Sequence, residues 1–441
     1  MSNIDRLLLR KSVHFLTGCL ILFLTYFIEK ETLLILFIIG GSFSFLTFKY
    51  KIFYLLHKTS NASLGTLFYP LGVISAFLVL YNLPLYYFRI VIMVLTISDT
   101  AAYFAGQIFR YNGNFVILSD KKSIHGVIAY SAITLIILLT GITAEINIAF
   151  VILALLVSVN LEVISWRGSD NLTIPLGLSM LFIVNDLYSF NPLLVSAIIL
   201  GMAYGCFLLY RWRVLDRAGS LTAYLLGVYF ISILGIKWIF PVLLFFISSV
   251  LFTKLHARLL KRDKSAISRN AWQVMANILW AVLTSVLFLI TCNEIFIYFF
   301  IALLAAVTAD TWASEIGPVT NRKSFSIADM KMHPAGVTGG ISAGGTIAAM
   351  AGSAIISISS FYLFFGEFSA GTIIILSVSG FLACFSDTFL GAFTEEKISS
   401  MNFFSQNDNF FSPNDIVNLL GSATAPVLFL LISWLAGYTY Y

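Results

Sequence analysis

Nearly every charged side chain in this chain falls in a short segment between apolar runs of roughly 16–22 residues, and that alternation limits the fold more than any motif does. Within hydrocarbon each backbone N–H and C=O must find a partner inside the protein, which leaves helices and closed barrels as the spanning structures. Barrel strands would alternate apolar and polar residues over about ten positions; continuous runs of this length read as helices. Only 11% of the 441 residues are charged and 59% are hydrophobic. A soluble domain carries about a quarter charged residues, so a water-soluble fold is excluded. The expected class is an all-α polytopic integral membrane bundle, with about fifteen transmembrane helices from Val13–Ile28 to Leu419–Trp434.

Charge placement orients such a bundle. All of the 26 Lys and Arg except Lys30, Arg89 and Lys237 fall in alternate inter-helix segments, including Arg167 and the dense run from Lys254 to Arg269, which reads as a topological anchor near anionic lipid with nucleotide-phosphate binding as the alternative. Glu29, Glu31, Glu145, Glu294 and Glu367 fall in the others. By the positive-inside rule the N-terminus is expected in the cytoplasm. The protein is then expected to be a multi-pass plasma- or inner-membrane protein whose polar sites face the cytosol. The net charge of +5 follows from this topology and from no nucleic-acid surface, since there is no soluble basic domain to hold a duplex. Cys19, Cys206, Cys292 and Cys384 show no CxxC spacing, so neither a disulfide framework nor a zinc site is expected. The first apolar run contains His14 and lacks a small-residue cleavage site, so no cleavable signal is expected. The basic segment Arg211–Arg217 divides the chain into halves, residues 1–210 and 211–441.

Asp99, Asp310 and Asp387 lie in or beside apolar spans, each followed by Thr. A carboxylate in hydrocarbon costs several kcal/mol, so such positions are functional candidates. In the first half, Arg10 and His14 share a helical face with Lys11 between them; snorkelling anchors are the alternative. Asp99 shares a face with Ala102, Tyr103 and Gly106, though a bond to a neighbouring helix would also account for it. Lys121, Lys122, Ser123 and Gly126 suit a phosphate at a helix start. Glu162, Asp170 and Asn171 add oxygen ligands for a magnesium ion beside a nucleotide.

The segments Arg10-Lys11-x-x-His14-x-x-x-Gly18, Asp99-x-x-Ala102-x-x-x-Gly106, Lys121-Lys122-Ser123-Ile124-x-Gly126 and Asp170-Asn171-Leu172-x-x-Pro175 resemble the dolichol kinase and phytol kinase family over about residues 1–210. The sequence departs from that family's pattern at Ser98 and His125. The resemblance implies a polytopic enzyme that phosphorylates a long-chain isoprenoid alcohol, typically with CTP. It further implies a nucleotide–metal site formed by Asp99, Lys121, Lys122, Glu162, Asp170 and Asn171.

In the second half, Asn270, Gln273 and Asn277 form a polar stripe entering an apolar span, with interhelical hydrogen bonding as the alternative. If helical, Asp310, Thr311, Ser314 and Glu315 lie within an arc of about 140°, a plausible magnesium-binding face. Gly339 and Gly340 belong to a glycine-rich stretch that could expose amides to phosphate or serve as a packing face. Asp387 is a third acidic position, and Ser412-Pro413-Asn414-Asp415 reads as a helix start. The segments Arg269-Asn270-Ala271-x-Gln273-Val274-x-Ala276-Asn277, Ala309-Asp310-Thr311-Trp312-Ala313-Ser314-Glu315-x-Gly317, Pro334-x-Gly336-x-x-Gly339-Gly340 and Ser386-Asp387-Thr388-x-x-Gly391 resemble the membrane family that includes plant phytyl-phosphate kinase. That resemblance implies addition of a second phosphate to an isoprenyl monophosphate.

The expectation is a two-step isoprenoid salvage kinase that turns a prenyl alcohol (phytol, geranylgeraniol or farnesol) into its monophosphate and then its diphosphate, a quinone or tocopherol precursor. Magnesium and CTP, or ATP, are the expected cofactors. Asp99, Glu162, Asp310 and Glu315 are the catalytic candidates. Arg10, Lys11, His14, Lys121, Lys122, Ser123, Gly126, Asn270, Gln273, Asn277, Ser314, Gly339 and Gly340 are the phosphate-binding candidates. Asp99, Asp170, Asn171, Asp310 and Asp387 are the metal candidates. A polytopic transporter and a lipid-phosphate cytidylyltransferase are the rivals. No Walker loop or protein-kinase signature is present.

Overall fold

A computed structural model describes residues 3–50, 65–109, 114–117, 120–141, 148–165, 168–187, 192–259, 268–321, 323–334, 339–399 and 412–438. Arg167, Gly336 and most of the basic run before Arg269 lie outside these described residues.

The protein is an all-α polytopic membrane protein. The chain runs α1 (Asn3–Leu24), α2 (Lys30–Lys49), α3 (Gly65–Val79), α4 (Leu85–Ile108), a hairpin of β1 (Asn114–Ile117) and β2 (Asp120–Ser123), then α5 (Ile124–Gly141), α6 (Ile148–Ile164), α7 (Asp170–Leu187) and α8 (Pro192–Arg211). It continues through α9 (Arg217–Tyr229), α10 (Ile236–Leu259), α11 (Ala271–Thr291), α12 (Ile295–Thr320), β3 (Lys323–Ser326), β4 (Met332–Pro334), β5 (Gly340–Ile341), α13 (Ala343–Phe365), α14 (Ala370–Ser399), α15 (Pro413–Ser422) and α16 (Thr424–Leu435).

Most apolar runs fall on a helix; Val337–Ile356 includes β5, and Leu419–Trp434 spans the break between α15 and α16. Against the expected fifteen spans, nine helical stretches among the described residues are long and apolar enough to cross a bilayer, and α3, α6, α7 and α8 offer shorter apolar segments. At about 1.5 Å per residue, fifteen residues cover about 22 Å, less than a hydrocarbon core of about 30 Å.

Residues 1–207 and 224–233 make one compact unit; residues 208–223 and 234–441 make the other. In the first unit α3 packs on α7, α4 on α5, and α6 on α7. Small residues permit these approaches: a Cβ on Gly72 of α3 would overlap the Asn171 carbonyl oxygen and lie 3.1 Å from Leu172 Cα, and one on Gly126 of α5 would lie 3.0 Å from the Ala102 carbonyl. The second unit is built around α12, which packs on α10, α11, α13, α14 and α16. Its stretch Phe300–Ala309 is buried on every side, the pattern of a helix apolar all round. The strands β4-β3-β5 form a small antiparallel sheet after α12. Exposed Ile35, Ile39 and Phe43 on α2 fit contact with lipid.

Three cations that interrupt the charge pattern bind backbone carbonyls near helix ends. Lys30 donates to the Tyr81 and Leu83 carbonyls at 2.7 and 2.8 Å, Arg89 to Thr25 at 2.7 Å, and Lys237 to Phe364 at 3.1 Å. Such positions favour positive charge because the last carbonyls of a helix lack intrahelical donors.

Gly72→Ala is expected to lower the stability of the solubilised protein by about 1–3 kcal/mol, because the obstructing atoms are backbone and cannot rotate away. Gly201→Ala, whose added Cβ meets nothing within 4 Å inside α8, is expected to leave the melting temperature unchanged or slightly raised. Equal melting temperatures for both variants would contradict the packing described for α3 and α7.

Candidate functional site

The first unit gathers several of its charged residues around Asp99. This residue begins the α-helical turn directly after a π segment, Val94–Ser98, inside α4. π turns widen a helix and recur at functional positions. Here the Leu95 carbonyl meets His14 Nε2 at 3.1 Å. A carbonyl only accepts, so this contact places a proton on Nε2 and fixes the ring; the same nitrogen lies 3.6 Å from Asp99 Oδ2. Lys11 donates to both Asp99 oxygens, at 2.7 and 2.5 Å. Ser98 accepts a hydrogen bond from the Thr134 hydroxyl at 2.9 Å, which gives the hydroxyl at this position a structural partner.

Lys122, at the end of β2, donates to Glu162 at 2.6 Å and to Ser165 at 2.9 Å. Burial alone would pull its pKa down, but Glu162 and then Asp170 outweigh that and raise it, so the ammonium stays charged. Asp99, Glu162 and Asp170 each offer an oxygen, and these atoms lie within 4.8 Å of one another. Asp170 opens α7 and accepts the Asn171 N–H at 3.0 Å, while Asn171 Nδ2 donates to the Gly168 carbonyl at 3.1 Å. Glu162 Oε2 and Asn171 Oδ1 are buried without a hydrogen-bond partner. The Arg10 guanidinium lies against Gly65 beside Asn171. One site thus unites Arg10, Lys11, His14, Asp99, Lys122, Glu162, Asp170 and Asn171.

Two expected phosphate ligands have other partners. Ser123 caps α5 by accepting the Gly126 N–H at 3.0 Å, and Gly126 allows α5 to approach Ala102. Lys121 pairs with Val116 in the hairpin, and its side chain lies outside the described residues. His125 stacks on Phe109 with ring centroids 4.8 Å apart.

The second unit holds a cavity of about 400 Å³ lined by Arg269, Gln273, Asn277, Asp310, Ser314, Glu315, Gly339, Gly340 and Asp387, among others. The side chains of Asp310 and Asp387 are in hydrogen-bond contact. Gly421 of α15 makes room for them, since a Cβ there would lie 2.6 Å from Asp387 Cβ. Asn270 has a different role from the one expected of a ligand. It is the N-cap of α11 in a capping box, accepting the Gln273 N–H at 2.9 Å while Gln273 Oε1 accepts the Asn270 N–H at 3.0 Å. Asn277 donates to the Gln273 carbonyl at 2.9 Å. Gly339 has φ +73° and packs on Ala392, and Gly340 pairs with Ser326 in the sheet. The first amides of α13 are engaged by protein groups, Gly344 N–H by Asn321 and Gly345 N–H by Ser342. That favours the packing reading of this glycine-rich stretch. Asp415 caps α15 with Ser412, as its sequence indicates.

Glu315 faces the cavity, yet both its oxygens have partners: the Thr253 hydroxyl at 2.5 Å and His256 Nδ1 at 2.6 Å. Arg269 Nη2 donates to Thr253 Oγ1 at 3.1 Å. Thr253 and His256 carried no assigned role on sequence grounds, and Arg269 stood as the end of the basic run from Lys254, with a topological anchor as its main reading and nucleotide-phosphate binding as the alternative. His256 stands 59 residues from Glu315, and only the presence of Arg269 within a quoted motif could have drawn attention to it.

The chain belongs to the family Integral membrane protein DUF92, whose model matches residues 199–425. It is also similar to an uncharacterized membrane protein of Methanocaldococcus jannaschii, with 29% identity over 187 residues that cover 42% of this chain and 76% of that protein. No solved structure matches the chain.

Removing either member of the Lys122–Glu162 pair is expected to destabilise the protein by about 3–5 kcal/mol, because it strands the other charge in a buried setting. The double variant Lys122→Met with Glu162→Gln is expected to recover more than half of that loss. Additive losses in a double-mutant cycle would show that the two groups do not interact.

Proposed function

We propose that the protein is a membrane-bound phosphotransferase that converts a prenyl alcohol to its monophosphate at the Asp99 site and the monophosphate to the diphosphate at the Asp310 cavity. The observation that carries this reading is the convergence of three carboxylates within 4.8 Å, ringed by Lys11, Lys122, His14 and Arg10. Phosphoryl transfer demands little covalent chemistry from a protein; it needs positioned cations for phosphate oxygens and carboxylates for a metal ion. The resemblance of the first half to prenol kinases and of the second to the phytyl-phosphate kinase family supports the order of the two steps.

The donor set suits magnesium. Glu162 Oε2 is a buried carboxylate oxygen with no partner, and Asp170 and Asp99 offer further oxygens beside it. When bound, the ion would neutralise charge building up on the transferring phosphoryl group. Lys11 and Lys122, each held on a carboxylate, are placed to turn toward phosphate oxygens of CTP or ATP. Asp99, adjacent to the fixed His14 ring, is the candidate to orient the substrate hydroxyl or take its proton. In the second unit Asp310 and Asp387 both line the cavity and are the candidates to hold a cation there. In this reading the N-terminus and both sites face the cytosol and the prenyl tail enters from the bilayer.

Membranes supplied with farnesol and γ-labelled CTP or ATP are expected to form labelled mono- and diphosphate. Asp99→Asn is expected to abolish monophosphate formation, a loss of at least a hundredfold by the usual scale of such groups, whereas Asp310→Asn lets monophosphate accumulate. Unaltered diphosphate output from both variants would reject the assignment. Release of pyrophosphate would indicate cytidylyl transfer instead, and uptake of substrate without labelling would indicate transport.

A further inference from the structure

We infer that Arg269 is the phosphate anchor of the second-unit cavity, held ready by a relay that runs from His256 through Glu315 and Thr253. The inference deepens the proposed function and rests on its view of this cavity as a phosphate-handling site.

Among the described residues, the charged side chains lining the cavity are Arg269, Asp310, Glu315, Asp387 and Asp415, so Arg269 is the sole cation there. Asp415 is engaged in the cap of α15. A phosphomonoester entering this space meets a ring of acids and amides in which one guanidinium can offset its charge. Arginine fits that task because its planar fork of donors matches two phosphate oxygens at once.

The backbone at Arg269 is fixed before any ligand arrives. Its N–H donates to the Val214 carbonyl at 2.9 Å, and its carbonyl accepts the Asp216 N–H at 3.0 Å. Gly219 allows this close approach, since a Cβ there would lie 2.5 Å from the Arg269 carbonyl oxygen. What remains is to stop Glu315 from claiming the guanidinium in a bidentate pair. The structure supplies that separation. The Thr253 hydroxyl stands between them, accepting from Arg269 Nη2 at 3.1 Å and donating to Glu315 at 2.5 Å, while His256 engages the other Glu315 oxygen at 2.6 Å. Glu315 therefore restrains Arg269 through a neutral hydroxyl. The fork stays at the cavity wall in place of closing onto a carboxylate. Thr253, Glu315 and His256 are positioning residues in this scheme, and Arg269 alone touches the ligand.

The test uses the full-length protein in nanodiscs, with farnesyl monophosphate and farnesol as paired binding probes, followed by diphosphate formation from farnesyl monophosphate. Arg269→Gln is expected to weaken farnesyl monophosphate binding by at least about tenfold and to leave farnesol binding unchanged. Arg269→Lys, which keeps the charge but not the fork, is expected to fall between. Thr253→Val, of matching shape without the hydroxyl, is expected to raise KM for farnesyl monophosphate about tenfold with kcat nearly constant, and Thr253→Ser to restore it. Undiminished farnesyl monophosphate binding by Arg269→Gln, or an equal loss of farnesol binding, overturns the inference; identical behaviour of Thr253→Val and Thr253→Ser overturns the relay. Arg269-dependent binding of farnesyl monophosphate without any diphosphate formation would uphold the anchor while rejecting the kinase.

Discussion

The ion pair between Lys11 and Asp99 is the contact on which the first unit depends. Asp99 is buried in an apolar helix long enough to cross the bilayer, and a buried carboxylate is costly without a countercharge. Its countercharge comes from a helix 88 residues earlier in the chain. The same solution recurs between Lys122 and Glu162, 40 residues apart. Each pair is favourable only while both partners are held at short range, so α1, α4, α6 and the β1–β2 hairpin cannot shift independently. The polar site and the helix packing are consequently one structure. Moving any of these elements would leave a buried charge without its partner.

Glycine provides the proximity these pairs need. Without a side chain at Gly72, the Asn171 backbone approaches α3 closely enough to bring α7 and Asp170 into the site. Gly126 does the same between α5 and Ala102, setting the start of α5 beside Lys122. In the second unit Gly421 opens space for Asp387, and a Cβ on Gly345 would lie 3.5 Å from Gly317 Cα. These contacts explain why small residues accompany each acidic position. The close helix approach that they permit is what lets short carboxylate side chains meet.

The helices were legible because apolar runs report burial in lipid, and most of the expected runs fall on one. The membrane-crossing count was not, because it depends on helix length and tilt as well as composition. Asp99, Lys11, Glu162 and Asp170 stood out as charges in an apolar context, and the structure brings them together. The π segment before Asp99 left no signal: Val94-Leu95-Thr96-Ile97-Ser98 reads as ordinary helix, and its irregularity is visible only through the His14 contact with Leu95. Asn270 and Gln273 carry the spacing of a capping box, a local signal that competes with the polar-stripe reading and prevails. His256 could not be linked to Glu315 because their pairing arises from packing of α10 on α12.

Lys30, Arg89 and Lys237 complete the argument about charge. A topology rule counts cations as if each were free to choose its side of the membrane, but a side chain that serves a helix end has another reason for its place. Arg89 satisfies both the carbonyl and the hydroxyl of Thr25 and lies 3.8 Å from the Tyr26 ring centroid, so it joins the end of α1 to α4. Lys30 reaches across to the turn after α3, and Lys237 to the last turn of α13. All three therefore act where carbonyls would otherwise lack donors, so their place follows from helix ends and says nothing about which side of the membrane they face. Whether a cation marks topology or structure is decided by what it touches, and the same criterion separates Arg269, whose fork lines a cavity, from the cations that only close helix ends.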